Sequence, residues 1–472
     1  MWSDRMSAAS RSALVERLRK VLPAARVGAR TEAVGLAWDG DAEEIAAALR
    51  NRTGFVWLDQ PRTRLFADPL VRMEVRDGRA RVQGPAGTVE FDARGLDLVE
   101  AALEAWGGAG GAVLCGYLGY ELGMELEDLA TPRRRDGDLP DLWLGLYDWR
   151  VESDGDGWRW IGTDAWRRVR AEEVEGSDDF AGDKIRNGRT VAGATVATAT
   201  GGFCEAVART VERIRDGELF QVNLCRRLET ELAEAEIWPL YERLRTISPA
   251  SQGALLRLDK GRAVLSASPE LFLKVEGRQV RSCPIKGTRP RGRSAEEDAR
   301  FVRELRESEK DRAELAMIVD VTRNDLGRVC RAGSVKVERH AELMTLPTVH
   351  HTYSEVSGEL REDCAAVDLL RASFPPASIT GAPKIRAMEV AAEEEGFRRG
   401  AAMGAIGWIS MGGEMELSVA IRTATASAGR VWYLAGCGIT AESVPQEELQ
   451  ESEAKAAAFR RALGEAEARV AR

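Results

Sequence analysis

The clearest strand pattern of the chain lies in residues 411–440, MGGEMELSVAIRTATASAGRVWYLAGCGIT. From Met415 to Ile421 every second residue is apolar, which predicts a strand with one face in a core. Arg422 then belongs to the opposite face, which is either bulk solvent or a polar pocket. The following strand runs into Gly436-Cys437-Gly438, whose backbone N–H groups could approach an anion, although a tight turn is the commoner cause of such a glycine pair.

Strand signals also fill the first 175 residues, where short apolar runs alternate with Gly, Pro and Asp turns, as in TGFVWLDQPRTRLFADP (53–69). Residues 176–202 are small, polar and aperiodic, which predicts a linker or loop. We therefore expect an N-terminal region over 1–175 and a second region over 203–468. Helices are predicted at about 203–216, 295–319, 382–395 and 444–468.

The composition excludes several classes of function. The 472 residues include 67 Lys and Arg against 76 Asp and Glu, so the net charge of −9 argues against nucleic acid or an anionic membrane as a partner. Three histidines are too few for a His-rich zinc centre. The seven cysteines are scattered, without C-x-x-C, which favours a reducing compartment. With no signal-peptide pattern and no membrane span in the sequence, we expect a cytoplasmic protein.

Two acid pairs are candidates for a metal site. Asp311 and Glu314, and likewise Glu448 and Glu451, are three residues apart within predicted helices and therefore share a helix face. Such pairs are common on solvated faces. They are also the oxygen ligands that Mg²⁺ prefers, and spacing alone leaves both interpretations open.

Other segments carry weaker signals. In SITGAPK (378–384), Ser378, Thr380 and Gly381 form a turn before a helix start, where Lys384 and free N–H groups suit an anion, or simply cap the helix. Lys286, at a predicted strand end, is either a solvated cation or a nucleophile. Adjacent residues of a strand face opposite sides, so only one of the paired histidines at 350 and 351 can reach a given pocket.

The order of these motifs is more specific than any one of them. They are FQVNLCRRL (220–228), SPELFL (268–273), PIKGTRPRG (284–292), AELAMIVDVTRNDLGRVC (313–330), SITGAPKIRAMEV (378–390), GAIGWI (404–409), AIRT (420–423) and ELQESEAKA (448–456). This series resembles the chorismate-utilising enzymes, which include anthranilate, aminodeoxychorismate, isochorismate and salicylate synthases. The resemblance implies an α+β fold, in which two antiparallel β-sheets form a sandwich-like core with outer helices. It also implies interleaved N- and C-terminal parts, with 203–468 as the chorismate-binding catalytic region.

The resemblance assigns roles to individual residues. It implies that Mg²⁺ bridges the ring carboxylate of the substrate to Glu314, Glu448 and Glu451, with Asp311 in the matching fourth place. The substrate-binding residues that it implies are Gly287, Thr288, His351, Ser378, Thr380, Gly381, Lys384, Arg422, Gly436 and Gly438.

Two positions separate the branches of this family. Isochorismate and salicylate synthases use a lysine base where this chain has Gln221, which cannot act as a base at neutral pH. Anthranilate synthases typically have alanine at the position of Lys286, whereas aminodeoxychorismate synthases typically have a lysine whose amine attacks C2 of chorismate. The resemblance therefore implies an aminodeoxychorismate synthase component I, with Lys286 as covalent nucleophile and Glu270 as the acid that protonates the departing C4 hydroxyl.

The remaining implications concern partners and rival functions. No glutaminase constellation is evident in the sequence, so the resemblance implies that ammonia comes from a separate glutamine amidotransferase subunit. Anthranilate synthase component I is the close rival, with Lys286 as a neutral variation. A non-catalytic chorismate-binding subunit is a remote alternative, suggested only by Ala402, where most relatives carry an aromatic residue.

Overall fold

The fold comes from a computed structural model that describes residues 6–22, 31–36, 41–59, 62–107, 111–135, 137–153, 157–163, 197–198, 200–259 and 261–464. The α-helices of these ranges are α1 Ala8–Val21, α2 Ala42–Leu49, α3 Gly95–Trp106, α4 Glu121–Leu126, α5 Thr200–Arg215, α6 Ile237–Ile247, α7 Ala295–Glu307, α8 Glu309–Gly327, α9 Ala366–Ser373, α10 Lys384–Glu395 and α11 Pro445–Leu463. None of them is long and apolar enough to cross a membrane.

The strands of the first half of the chain are β1 Thr31–Leu36, β2 Phe55–Asp59, β3 Thr63–Phe66, β4 Val71–Arg76, β5 Arg79–Gly84, β6 Gly87–Asp92, β7 Val113–Leu118, β8 Leu142–Tyr147, β9 Trp149–Ser153, β10 Trp158–Thr163, β11 Ala197–Thr198 and β12 Gln221–Glu231. Those of the second half are β13 Gln252–Asp259, β14 Arg262–Ser268, β15 Leu271–Glu276, β16 Gln279–Cys283, β17 Ile285–Pro290, β18 Lys336–Thr345, β19 Val349–Glu359, β20 Gly381–Ala382, β21 Ala405–Ser410, β22 Met415–Val419, β23 Thr423–Ser427 and β24 Arg430–Ile439.

These strands form two large antiparallel sheets, as predicted. The first has the order β1-β10-β9-β3-β2-β13-β14-β23-β24-β12-β11, with β20 beside β12. The second has the order β17-β19-β16-β15-β22-β21-β7-β8-β4-β5-β6, with β18 beside β19. Strand β13 pairs with β2 and strand β21 pairs with β7, so both sheets join early and late parts of the chain. The predicted interleaving is therefore confirmed.

A shared apolar core holds the two sheets together. Val56, Phe66 and Leu256 from the first sheet pack in one cluster with Trp143 and Ile406 from the second. All five side chains are fully buried, and burial of large apolar side chains contributes about 1.5–3 kcal/mol each. The sandwich-like core therefore depends on residues from both halves of the sequence.

Several predicted boundaries change. The helix expected at 295–319 is two helices, because Ser308 ends α7 in an extended conformation and its hydroxyl accepts from the Asp311 N–H at the start of α8. Of the predicted linker 176–202, residues 176–196 and 199 lie outside the described residues, and 200–202 belong to α5. The division into 1–175 and 203–468 stays a prediction, and 465–468 also lie outside the described residues.

Arg399 connects segments that later carry candidate site residues. Its buried guanidinium donates to the Ile379 and Asn223 carbonyls and forms a 2.6 Å ion pair with Glu395. It also lies over the ring of Tyr120. The Glu395 carboxylate in turn accepts from the Cys225 N–H. One arginine thus fixes β12, the turn before β20 and the early α4 region.

Replacing Arg399 with methionine should destabilise the protein strongly. The change leaves the buried Glu395 carboxylate without its cation, and breaking a buried pair in this way costs about 3–5 kcal/mol. Chemical denaturation checks the loss, and Arg209→Met is the control, because its ion pair with Glu394 leaves the arginine half-exposed. A loss below about 1 kcal/mol for Arg399→Met would contradict the assigned role.

Candidate active site

Lys286 and Glu270 lie in one partly enclosed site. Lys286 is the second residue of β17, opposite Thr352 of β19, and the Thr352 hydroxyl donates to its carbonyl. Only 13 % of its side chain is exposed, and its Nζ lies 3.9 Å from Oε2 of Glu314. The strand therefore directs this amine inward, which makes the solvated-cation interpretation wrong.

Glu270 has the environment of a general acid. It is 3 % exposed and lies between β14 and β15, where Val419 N–H donates to its carbonyl. Burial raises the pKa of Glu270 to about 7, and the Ser378 hydroxyl and the charge of Lys286 oppose that effect only in part. A carboxyl group with this pKa can hold a proton near neutral pH and give it to a leaving group.

His351 is held as a neutral hydrogen-bonding group. Its Nε2 lies 3.1 Å from the Arg422 guanidinium, which can only donate, so Nε2 accepts and Nδ1 carries the proton. Nδ1 faces the Gly287 carbonyl at 3.2 Å and the Thr288 hydroxyl at 2.9 Å. Burial and the Arg422 charge lower the pKa of His351 to about 4. The ring therefore links β17 to Arg422 and does not titrate near neutral pH.

Arg422 lies outside the strand that its sequence pattern predicted. Strand β22 ends at Val419, both of its faces are buried, and Arg422 has a φ of +50° in the connection to β23. A non-glycine residue in this region is strained, and such strain clusters at functional sites. Burial lowers the pKa of Arg422, against the opposing influence of Tyr433 and Glu270. The guanidinium is thus brought to the polar site and away from bulk solvent.

Glu314, Glu448 and Glu451, three acids of the predicted metal site, lie close together. Among the described residues, Glu448 and Glu451 form a group with Cys437 in which the potential ligand atoms lie within 4.8 Å of one another. Glu314 lies beside them, since a side chain at Gly438 would place its Cβ 3.4 Å from the Glu314 carboxylate. Burial raises the pKa of Glu448, and its Oε2 is buried without a hydrogen-bond partner. A buried carboxylate oxygen of this kind fits a cation.

The fourth acid, Asp311, is bound by an arginine. Its Oδ2 lies 3.2 Å from the Arg289 guanidinium, and its role as a metal ligand stays a prediction. Three-residue spacing places Asp311 and Glu314 on one helix face, but Arg289, at the far end of β17, binds the first of them.

Several predicted substrate-binding residues have partners within the protein. Lys384 donates to Asp325 at 2.6 Å and to the Ser373 carbonyl at 2.7 Å, and its predicted contact with substrate stays a prediction. Thr380 donates to the Pro376 carbonyl at 2.9 Å. Gly381 has a φ of +135°, and a Cβ there would lie 2.2 Å from the Gln221 carbonyl, so close packing against β12 requires glycine.

The glycines of β24 allow close contact at the acid cluster. A Cβ on Gly438 would lie 2.3 Å from Nε2 of Gln221, and one on Gly436 would lie 2.5 Å from Nδ2 of Asn223. The predicted substrate contacts of Gly436 and Gly438 stay predictions, and so do the predicted contacts of Gly287, Thr288 and Ser378.

Two lysines of the site were missed. Lys455 is bound to Glu451 at 2.7 Å and to the Gly436 carbonyl at 2.8 Å. Nζ of Lys310 lies 3.6 Å from Oε1 of Glu448. Each is four residues from an acid of the cluster, Lys455 from Glu451 and Lys310 from Glu314, and this helical spacing was a usable signal. Both lysines place a positive charge beside a glutamate of the cluster.

Comparison with known proteins agrees with this arrangement. The family described as chorismate binding enzyme matches residues 54–461. Aminodeoxychorismate synthase component 1 of Salmonella typhimurium is 38 % identical over 347 residues, 73 % of this chain and 74 % of the relative. Anthranilate synthase component 1 of Streptomyces coelicolor is 40 % identical over 383 residues, 76 % of this chain and 74 % of the relative.

A solved structure gives the same result for the fold. The crystal structure of anthranilate synthase component I from Streptococcus pneumoniae superposes with a TM-score of 0.75 at 27 % identity, covering 84 % of this chain and 92 % of that one. The match to the family covers most of the chain and includes every candidate site residue named above. The chain therefore belongs to the chorismate binding enzyme family.

Proposed function

We propose that the chain catalyses the aminodeoxychorismate synthase component 1 reaction, converting chorismate and ammonia to 4-amino-4-deoxychorismate for 4-aminobenzoate and folate synthesis. Lys286 is the observation that carries the proposal, because a shielded amine lies in one site with a buried carboxyl group. Curated relatives of that name from Salmonella typhimurium, Escherichia coli and Bacillus subtilis, at 35–38 % identity, support it.

Two residues perform the proposed chemistry. Lys286 first releases its ammonium proton to solvent. Protonated Glu270 then gives its proton to the C4 oxygen, which leaves as water while the neutral amine of Lys286 bonds to C2. Ammonia then bonds to C4 and displaces Lys286, and the surplus proton of the new ammonium group returns to Glu270. Nucleophilic catalysis of this kind divides one difficult substitution into two easier ones.

The neighbouring residues bind and orient the substrate. Arg422 is the cation suited to a substrate carboxylate, and neutral His351 fixes its guanidinium from the other side. Because His351 also binds the β17 backbone at Gly287, it sets the distance between Arg422 and Lys286.

We propose that Glu314, Glu448 and Glu451 hold Mg²⁺, which would bind the ring carboxylate of the substrate. The unpaired Oε2 of Glu448 supports this assignment. Lys310 and Lys455 must then release part of their contact with the glutamates.

Glu451→Gln should weaken divalent-cation binding by roughly 10- to 100-fold, because a neutral amide replaces a charged ligand. Mn²⁺ binding, followed by its electron paramagnetic resonance signal, measures this without reference to activity. Glu447→Gln is the control, since Glu447 lies on the same helix but does not belong to the group of potential ligand atoms that Cys437, Glu448 and Glu451 form. Equal Mn²⁺ affinity of the two variants would rule out Glu451 as a ligand.

We further propose a separate amidotransferase subunit as the ammonia source and the cytoplasm as the location. The name of the relatives, which are designated component 1, supports the separate subunit, and the seven free cysteines support a reducing compartment. Glutamine should sustain the reaction only when such a subunit is added, whereas ammonium salts should sustain it alone.

Anthranilate synthesis is the second candidate, favoured by the 40 % identical Streptomyces coelicolor relative. The two reactions differ in products. With chorismate, Mg²⁺ and ¹⁵N-ammonium, the proposed reaction places ¹⁵N at C4 and retains the enolpyruvyl group. Anthranilate with ¹⁵N at C2 and free pyruvate would overturn the proposal.

A further inference from the structure

A cavity adjoins Glu270, and Lys286 does not line it. It contains about 320 Å³ of empty space including its open end, and its polar lining residues are Glu270, Ser282, Thr322, Asp325, Ser373 and Ser378. It shares Glu270 and Ser378 with the candidate active site, but Lys286, His351 and Arg422 do not line it.

One hydroxyl group of this cavity lacks a partner. The Oγ atom of Ser373 is buried without a hydrogen bond, and the residue is 3 % exposed. A buried polar group without a partner costs about 1–3 kcal/mol. A polar cavity that offers a water two to four polar partners is the setting in which ordered water is found.

Two buried carboxyl groups, those of Glu270 and Asp325, line the cavity. The charges of Lys286 and Arg422 act on Glu270 and lower its pKa. Asp325 is bound to Lys384 at 2.6 Å. Burial raises the pKa of Asp325, and the charge of Arg328 lowers it while that of Glu127 raises it. The Ser373 carbonyl accepts from the same Lys384 ammonium, which places Ser373 near Asp325.

We propose that an ordered water in this cavity, held by Ser373 and Asp325, donates a hydrogen bond to the inner oxygen of Glu270. The outer oxygen then carries the acidic proton and points to the substrate. Ser373 and Asp325 are positioning residues, because they act through Glu270. The inference rests on the proposed function only for the identity of the leaving group.

Ser373→Ala tests the water site cleanly. Its hydroxyl has no protein partner, so its loss should leave folding unchanged and affect only the water. We expect kcat to fall between roughly threefold and thirtyfold, a fraction of the 10²–10⁴ that a general acid contributes, with the KM for chorismate unchanged. The alkaline limb of the pH profile should move to higher pH, because the ionised form of Glu270 loses a donor.

Matched variants separate this effect from a structural one. Ser373→Thr keeps the hydroxyl and should restore the wild-type profile. Thr210→Val removes another buried, unpartnered hydroxyl, in α5, and should change nothing. A Ser373→Ala enzyme with the wild-type pH profile would overturn the inference.

High-resolution crystal structures of the wild type and of Ser373→Ala give a readout independent of activity. We expect water density between Ser373, Asp325 and Glu270 in the wild type and its loss in the variant. A cavity without water in the wild type would overturn the inference. Product identification in the same assay distinguishes the two claims, since anthranilate formation contradicts the proposed function and leaves the water test valid.

Discussion

Lys286→Ala should lower the rate of 4-amino-4-deoxychorismate formation by at least about 10³-fold, because the alanine side chain has no nucleophile for C2. Binding of chorismate should change little, since Arg422 and His351 are untouched. Initial rates with ammonium as donor, followed by chromatography of the product, measure the loss. The fold should survive, because Lys286 makes one long ion pair, at 3.9 Å.

Two variants give this experiment its controls. Lys286→Arg keeps the positive charge beside Glu314 but has no neutral amine at accessible pH, so it should be as inactive as alanine. Lys274→Ala removes a partly exposed lysine that pairs with Glu276 and should retain full activity. Wild-type rates in Lys286→Ala would show that the amine takes no part in catalysis.

Glu270→Gln should lower kcat by about 10²–10⁴-fold, the usual contribution of a general acid. The wild-type rate should fall as pH rises through about 7, because Glu270 acts in its protonated form and its pKa is about 7. The residual activity of Glu270→Gln should not show this decrease with rising pH. The pH profile of kcat measures both, with Glu276→Gln, at an exposed acid, as the control.

The same substitution should stabilise the protein above neutral pH. The folded state holds the Glu270 proton up to about pH 7, whereas the unfolded chain loses it near the ordinary glutamate pKa. The folded state therefore binds more protons between these values, and stability falls as pH rises through this window. Glu270→Gln removes that loss, so its stability advantage over the wild type should be larger at pH 8 than at pH 4. An equal difference at both pH values would contradict the buried, protonated state.

The sequence predicted the sheets better than it predicted the contacts of individual side chains. The alternation around Met415 indicates a strand, but only the resemblance to a family indicated that late strands pair with early ones, as β21 does with β7. Local periodicity carries no information on which distant segment supplies the partner.

The sequence did not predict the protein partners of Lys384 and Asp311, for one shared reason. A helix start with a lysine suits an anion, but the anion here is the Asp325 carboxylate, 59 residues earlier in the chain. Likewise, i,i+3 spacing gives the shared face of Asp311 and Glu314 but not the arginine that binds Asp311. Arg422 departs from its pattern because the chain turns at a positive φ after Val419, and no spacing rule contains such a turn.

Intact-mass analysis of the protein during turnover tests the central claim most directly. With chorismate and Mg²⁺ but without ammonia, the wild type should gain the mass of chorismate less one water, and peptide mapping should place the adduct on Lys286. Added ammonium should release it as 4-amino-4-deoxychorismate, and Lys286→Ala should show no adduct. An active wild type that never carries the adduct, or an adduct that persists in Lys286→Ala, would contradict the account.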